Sequence, residues 1–151
     1  MSIEKRIKEL NIKLEEVKST NIPFIPVNQG GNLLFTSGQV CIKEGKLIST
    51  GKLGGLVSIE EGQKSAEQCV VNCLSVLKSH LGDLDKIKKV VKVLAFVQST
   101  EDFKNQPVVV NAASELILSI FGEKGKHARS AVGVNGLPSN ASVEIEMIVE
   151  I

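Results

Sequence analysis

At the end of the chain Val143, Ile145, Met147 and Val149 alternate with Glu144, Glu146, Ile148 and Glu150. A period of two puts the first set on one face of a strand and the second on the other. The all-apolar face has to lie under a covering layer. The opposite face mixes Ile148 with carboxylates, which is too mixed for plain solvent surface, and a second copy of the chain would cover it. A further β-prone run, His127–Val134, precedes this strand. Between them lies Asn135-Gly136-Leu137-Pro138-Ser139-Asn140, a connector rich in turn residues, so the two runs read as neighbouring strands.

Upstream, Ser58-Ile59-Glu60-Glu61 is a capping box, in which the serine and the third-following glutamate satisfy free amides at a helix start. The helix it opens has an apolar stripe through Ala66, Cys69, Val70, Cys73, Leu74, Leu77 and Leu81 and stops at Gly82. His80, in its last turn, reads as a charge near the negative helix end rather than as a catalytic group. Val90–Val97 is the most apolar run and predicts a central strand. Pro107 suits the first position of another helix, with Val110, Ala113, Leu116 or Ile117, and Ile120 inward and Gly122 at its end. Leu33–Ile42, after the turn Gly30-Gly31-Asn32, predicts a strand with a bulge or close backbone approach at Ser37-Gly38. Leu47–Thr50 adds a short hairpin strand, and Asn21–Pro26 favours extended chain. Ile3, Ile7, Leu10 and Leu14 predict an amphipathic helix within an N-terminal extension, residues 1–20, ahead of a domain over 21–151. The order of elements is that of an α+β fold, an antiparallel-rich mixed sheet with two helices on one face.

Several function classes recede on composition. The formal net charge is +1, and the chain has no Trp or Tyr, so it offers neither a basic footprint nor stacking platforms for nucleic acid. The charged N-terminus lacks the apolar core of a signal peptide, and no run is long enough to span a bilayer, so the expected location is cytoplasmic. Cys41, Cys69 and Cys73 are an odd set without an export signal and read as packing residues, not as disulfides or a metal site. The glycines of Gly51–Val57 match neither dinucleotide nor P-loop spacing.

Arg129 asks for a reason. Apart from Arg6 it is the only arginine in a lysine-rich chain, and it stands among Ala, Val and Gly. Its planar fork suits a carboxylate in a way that lysine does not. Either it pairs with Glu144 or Glu146 across the strands as a structural ion pair, or it holds an anion in a small pocket where a glutamate handles water or protons.

Gly31-Asn32-Leu33-Leu34-Phe35-Thr36-Ser37-Gly38-Gln39, Asn111, Ala128-Arg129-Ser130, Leu137-Pro138 and Val143-Glu144-Ile145-Glu146 together resemble the YjgF or Rid family, the reactive intermediate deaminases. The similarity runs from about Pro23 to the C-terminus and points to the longer branch with an N-terminal extension. It implies a chorismate-mutase-like fold and a homotrimer with a central barrel and clefts between subunits. It implies hydrolysis of enamines and imines, such as 2-aminoacrylate, 2-iminobutanoate or 2-iminopropanoate, to 2-keto acids and ammonia, with no metal or organic cofactor. By that resemblance Arg129 binds the substrate carboxylate and Glu144, kept ionised by it, positions water. Ser37 and Gly38 form the ligand loop and Asn111 is the helix asparagine. Phe24 stands where the family usually has a tyrosine, Ala131 where many active members have cysteine, Gly133 where they often have glutamate, and His127 replaces a common proline. Two other readings follow from the same likeness: a trimer that binds a small carboxylate without turning it over, and an endoribonuclease or translation inhibitor, which the neutral charge disfavours.

Overall fold

The computed structural model describes residues 2–151. Its elements are helix α1 (Ile3–Glu9), strands β1 (Val27–Gly30), β2 (Leu33–Thr36), β3 (Gln39–Val40), β4 (Ile42–Lys43) and β5 (Lys46–Leu47), helix α2 (Ile59–Leu81), strand β6 (Lys89–Gln98), helix α3 (Gln106–Phe121), and strands β7 (Ala128–Val134) and β8 (Val143–Glu150). The main sheet runs β1-β2-β8-β6-β7, with β3 also paired to β8, while β4 and β5 form a separate hairpin. Every pairing in the main sheet is antiparallel except β6 with β7. The architecture is the expected α+β one.

The alternation in β8 resolves as its sequence requires. Val143, Ile145 and Val149 are fully buried and Met147 nearly so, on the face that α2 covers, while Glu144, Glu146, Ile148 and Glu150 are half-buried on the other face. That other face also presents Phe35 and Val132, each 42% exposed, which leaves a mixed apolar and acidic surface uncovered within one chain. The capping box forms at Ser58 and Glu61, and Gly82 closes α2 in the left-handed conformation that only a residue without Cβ adopts freely. All three cysteines are free and buried. Cys69 and Cys73 donate to the Val143 and Ile145 carbonyls, and burial pushes the Cys73 thiol up to about 12, so it stays a neutral packing group.

Several expectations about the elements are corrected. First, β7 and β8 are not neighbours: they flank β6, β7 parallel to it and β8 antiparallel. The connector is long enough to cross the end of β6 instead of turning back as a hairpin. Gln98, 3% exposed, clasps it there by accepting from Leu137 N (2.9 Å) and donating to Asn140 Oδ1 (2.7 Å). β6 therefore takes the central place its apolar run calls for. Second, the N-terminal helix ends at Glu9 rather than reaching Leu14. Asn11 enters the left-handed region (φ 54), and the bonds Ile12 N to Ile7 O and Asn11 N to Lys8 O make a Schellman cap. Leu10, Ile12, Leu14 and Val17 still pack on the core, now from non-helical chain. Pro107 falls one place later than expected, because α3 opens at Gln106.

The start of α1 is held from a distance. Asp85 accepts from Ser2 Oγ (2.6 Å) and from the Ile3 and Glu4 amides, and Glu4 in turn pairs with Lys78 and accepts from Leu84 N. The Ser2 hydroxyl and then those amides hold the Asp85 carboxyl below its ordinary 3.8. A depressed carboxylate stabilises the fold above its unfolded pKa and ceases to as pH falls through the folded one. Docking of α1 should therefore weaken below about pH 4, and Asp85→Asn should weaken it already at neutral pH. Faster exchange of the Ile7 amide, with β8 amides unchanged, is the expected readout.

Candidate functional site

The site residues named from sequence separate into two clusters. The first gathers around Glu144. Strand β2 pairs with β8 as far as Phe35 opposite Ile148, and β3 resumes with Gln39 opposite Ile145, so three residues, Thr36–Gly38, face two. This is a bulge, as Ser37-Gly38 suggested, and Thr36 Oγ1 accepts from the Met147 amide left without a ladder partner (3.0 Å). Ser37 donates its hydroxyl to Ile25 O and its amide to Pro26 O, both 2.7 Å, and so pins the segment that carries Phe24, which bends at Pro23-Phe24 and again at Pro26. Phe24 itself is 58% exposed. Ser37 thus offers a ligand its oxygen lone pair rather than a free O–H. A Cβ built on Gly38 would sit 2.7 Å from Glu144 Oε1, so the absence of a side chain is what gives that carboxylate room. Gly38 also lines a cavity of about 610 Å³ whose other walls include Val17, Lys18, Asn72 and Val76.

Gly38→Ala should displace the Glu144 carboxylate, a flexible end that can move cheaply, and leave the melting temperature nearly unchanged. Any reaction using that carboxylate should slow on the order of 10²-fold, the usual consequence of a misplacement near 1 Å. Parallel melting and turnover measurements check both halves.

The second cluster gathers around Arg129. Its strand, β7, is an edge, and Arg129 aligns with the fully buried Val93, so it faces the helix layer. Asn111 and Ser114, three apart on α3, meet it there: Arg129 Nη1 donates to Asn111 Oδ1 (2.9 Å) and to Ser114 Oγ (3.1 Å). Ala131 follows on the same face, half-buried. Two residues further, a Cβ on Gly133 would lie 2.7 Å from Gln106 Nε2, so the start of α3 leaves no room for a larger residue without Gln106 moving. No carboxylate pairs with Arg129 among the described residues, so the cross-strand ion pair with Glu144 or Glu146 is overturned.

The two clusters do not meet within one chain. Arg129 lies in register with Val93 and Met147, whereas Glu144 lies in register with Phe96, three positions along and on the opposite face. Arg129 does not hold the Glu144 carboxyl ionised either. Burial raises that carboxyl above its ordinary 4.5, and the neighbouring Glu146 adds to the push. Sequence reasoning passed over Ser114 altogether and saw in His127 only a departure; the spacing of Ser114 three residues after Asn111, and of His127 two before Arg129, was the available signal. Among the described residues no three His, Cys, Asp or Glu side chains converge as metal ligands, and no helix is long and apolar enough to cross a membrane.

Chemically, the Arg129 cluster is a guanidinium with neutral partners, able to take an anion. The Glu144 cluster is a part-buried carboxylate beside bare backbone, able to accept a proton or hold water.

Residues 4–151 match the family described as "YjgF/chorismate mutase-like, putative endoribonuclease". Protein TCP17 of Trypanosoma cruzi is 40% identical over 146 residues, 96% of this chain and 91% of its own. A Dermatophagoides farinae protein named 2-iminobutanoate/2-iminopropanoate deaminase is 34% identical over 130 residues, 85% of this chain and 86% of its own. The crystal structure of Atu1372 from Agrobacterium tumefaciens, titled as of unknown function, superposes with a TM-score of 0.90 at 46% identity, covering 99% of this chain and 92% of that one.

Proposed function

This chain belongs to the YjgF/chorismate mutase-like family, and from that premise we propose that it hydrolyses small 2-imino acids and their enamine tautomers to 2-keto acids and ammonia. The observation that carries the reading is Arg129, a half-buried guanidinium held only by Asn111 and Ser114, with its charge unmet by any acid of its own chain among the described residues. The relative named as a deaminase supports the same chemistry.

Arg129 and Glu144 lie on opposite faces, so the reaction calls for two copies: Arg129 on the β7 edge of one beside Glu144 on the uncovered face of the next. The mixed face with Phe35, Val132 and Ile148 suits such packing, and a closed homotrimer with a cleft at each seam satisfies it. In that cleft the carboxylate of the imino acid takes a charge-assisted pair of bonds from Arg129, worth on the order of 1.5–3 kcal/mol. The imine carbon is already electrophilic and needs mainly orientation and water. Glu144, its pKa raised by burial, accepts a proton from the attacking water. The imine nitrogen takes up a proton as the water oxygen bonds to the carbon, giving a carbinolamine. Its hydroxyl then gives up its proton as the C=O bond forms and the C–N bond breaks, so that both hydrogens of the water leave on ammonia, relayed by Glu144. Phe24, Ser37, Gly38 and Ala131 shape the rest of the cleft. No cofactor takes part in these steps.

The test is to generate 2-aminoacrylate in place with a pyridoxal-phosphate-dependent lyase and follow keto-acid release with and without the protein. Acceleration is expected. Saturable binding of a keto acid with no acceleration would instead mark a carrier or sensor.

A further inference from the structure

The bonds around Arg129 continue beyond the residues that hold it. Ser114 Oγ lies 2.9 Å from His127 Nε2, and His127 Nδ1 lies 2.6 Å from the Gly125 carbonyl. With the His127 ring neutral, the direction of every bond in this row follows from its ends. A carbonyl oxygen only accepts, so His127 Nδ1 carries the proton toward Gly125. In the neutral ring Nε2 is then bare, and Ser114 gives it the hydroxyl hydrogen. A guanidinium only donates, so Arg129 Nη1 gives a hydrogen to the oxygen of Ser114. The serine is thereby locked with its lone pair toward Arg129 and its hydrogen away from it.

The geometry points to Ser114 and His127 as positioning residues that present one chosen edge of Arg129 to a carboxylate. This inference rests on the anion-binding role of Arg129 proposed above. Nη1 has two hydrogens, and Asn111 and Ser114 take both. What remains is the hydrogen on Nε and the two on Nη2, so the fork offered to a guest is the Nε/Nη2 side. That edge matches the two oxygens of one carboxylate, and an amide in its place would accept only one of the two bonds. The supports are local and rigid. Asn111 and Ser114 occupy one face of α3, and His127 precedes Arg129 by two residues at the entrance to β7. A Cβ at position 125 would meet Ile117 O at 2.9 Å and Phe121 Cβ at 3.1 Å, so glycine is what lets the turn lie close enough to α3 to offer His127 its carbonyl.

Two measurements test it. With His80 and His127 as the only histidines, long-range ¹⁵N–¹H spectra of the wild type and of His80→Gln assign the His127 ring directly. The Nδ1–H tautomer is expected for the neutral ring. The Nε2–H tautomer overturns the inference, whether or not the protein turns anything over. In the second, Ser114→Ala and His127→Leu should each raise the KM for the imino acid, or the Kd for pyruvate, roughly tenfold with kcat little changed. Ser114→Thr keeps the hydroxyl and His127→Gln supplies an acceptor oxygen, and both should recover most of the loss. Wild-type affinity in Ser114→Ala and His127→Leu, or no recovery in the conservative pair, overturns the positioning role. A wild-type chain that neither binds pyruvate nor hydrolyses imine sinks the functional reading instead, and the tautomer then decides the row of bonds separately.

Discussion

Arg129→Ala should cut kcat/KM for 2-imino acids by roughly 10–100-fold, the equivalent of losing one charge-assisted fork at about 1.5–3 kcal/mol. Most of that loss should appear in KM, because the carboxylate is gripped alike before and during attack. The fold should hardly notice. Arg129 meets only the neutral oxygens of Asn111 and Ser114 in its own chain, so its removal leaves no carboxylate unpaired there. Arg129→Lys should restore the charge but not the fork, and recover part of the affinity at most. Kinetics and melting curves of the two variants check this. Undiminished turnover in Arg129→Ala would remove the proposed carboxylate grip.

Glu144→Gln should be the larger kinetic lesion, with kcat down by about 10²–10⁴-fold and KM near the wild-type value. Glutamine keeps the shape beside Gly38 but cannot take the proton of water. The pH dependence follows from the direction of the shift. Burial first, then Glu146, raises the Glu144 carboxyl above 4.5, so the base is lost as pH falls through that raised value and the wild-type rate should show an acid limb there. Stability runs the other way. A carboxyl with a raised folded pKa stabilises the fold below its unfolded pKa and ceases to as pH rises through the folded one. At neutral pH its ionisation is a burden on the fold, so the neutral glutamine should melt no lower than wild type. Rates across pH, paired with melting curves, separate a catalytic base from a structural carboxylate.

Much of this architecture could be read from the chain because single elements state their surroundings. The alternation of Val143 to Glu150 declares one covered face, and the structure buries that set under α2. Ser58 and Glu61 mark a helix start and Gly82 its end through local bonds that do not depend on the fold. Pairing order is different. The connector after Val134 reads as a turn, yet its length permits crossing the end of β6 as well as turning back. What decides is the clasp of Gln98 on Leu137 and Asn140, residues distant in sequence. The site shares that limit. Residue types drew attention to Arg129, Gly38 and the pair Glu144 and Glu146, and the family resemblance singled out Glu144 and Asn111 as site candidates, but placing Arg129 opposite Glu144 assumed adjacent strands. With β6 between them and their faces opposed, the pair can meet only across a seam. The N-terminal helix ran short for a local reason, since Asn11 adopts a left-handed cap that the apolar spacing through Leu14 did not reveal.

That seam can be tested without a ligand-bound structure. Arg129→Ala and Glu144→Gln chains, each impaired at imino acid concentrations well below the wild-type KM, are unfolded together, refolded as a mixture and assayed at such a concentration. If each cleft takes its arginine from one copy and its glutamate from the next, mixed trimers regain one intact cleft apiece. Activity should then return to about a quarter of wild type, the statistical share for a closed ring of three. Activity that stays at the level of the parent variants, in a mixture shown to contain hybrid assemblies, would contradict a site shared between copies.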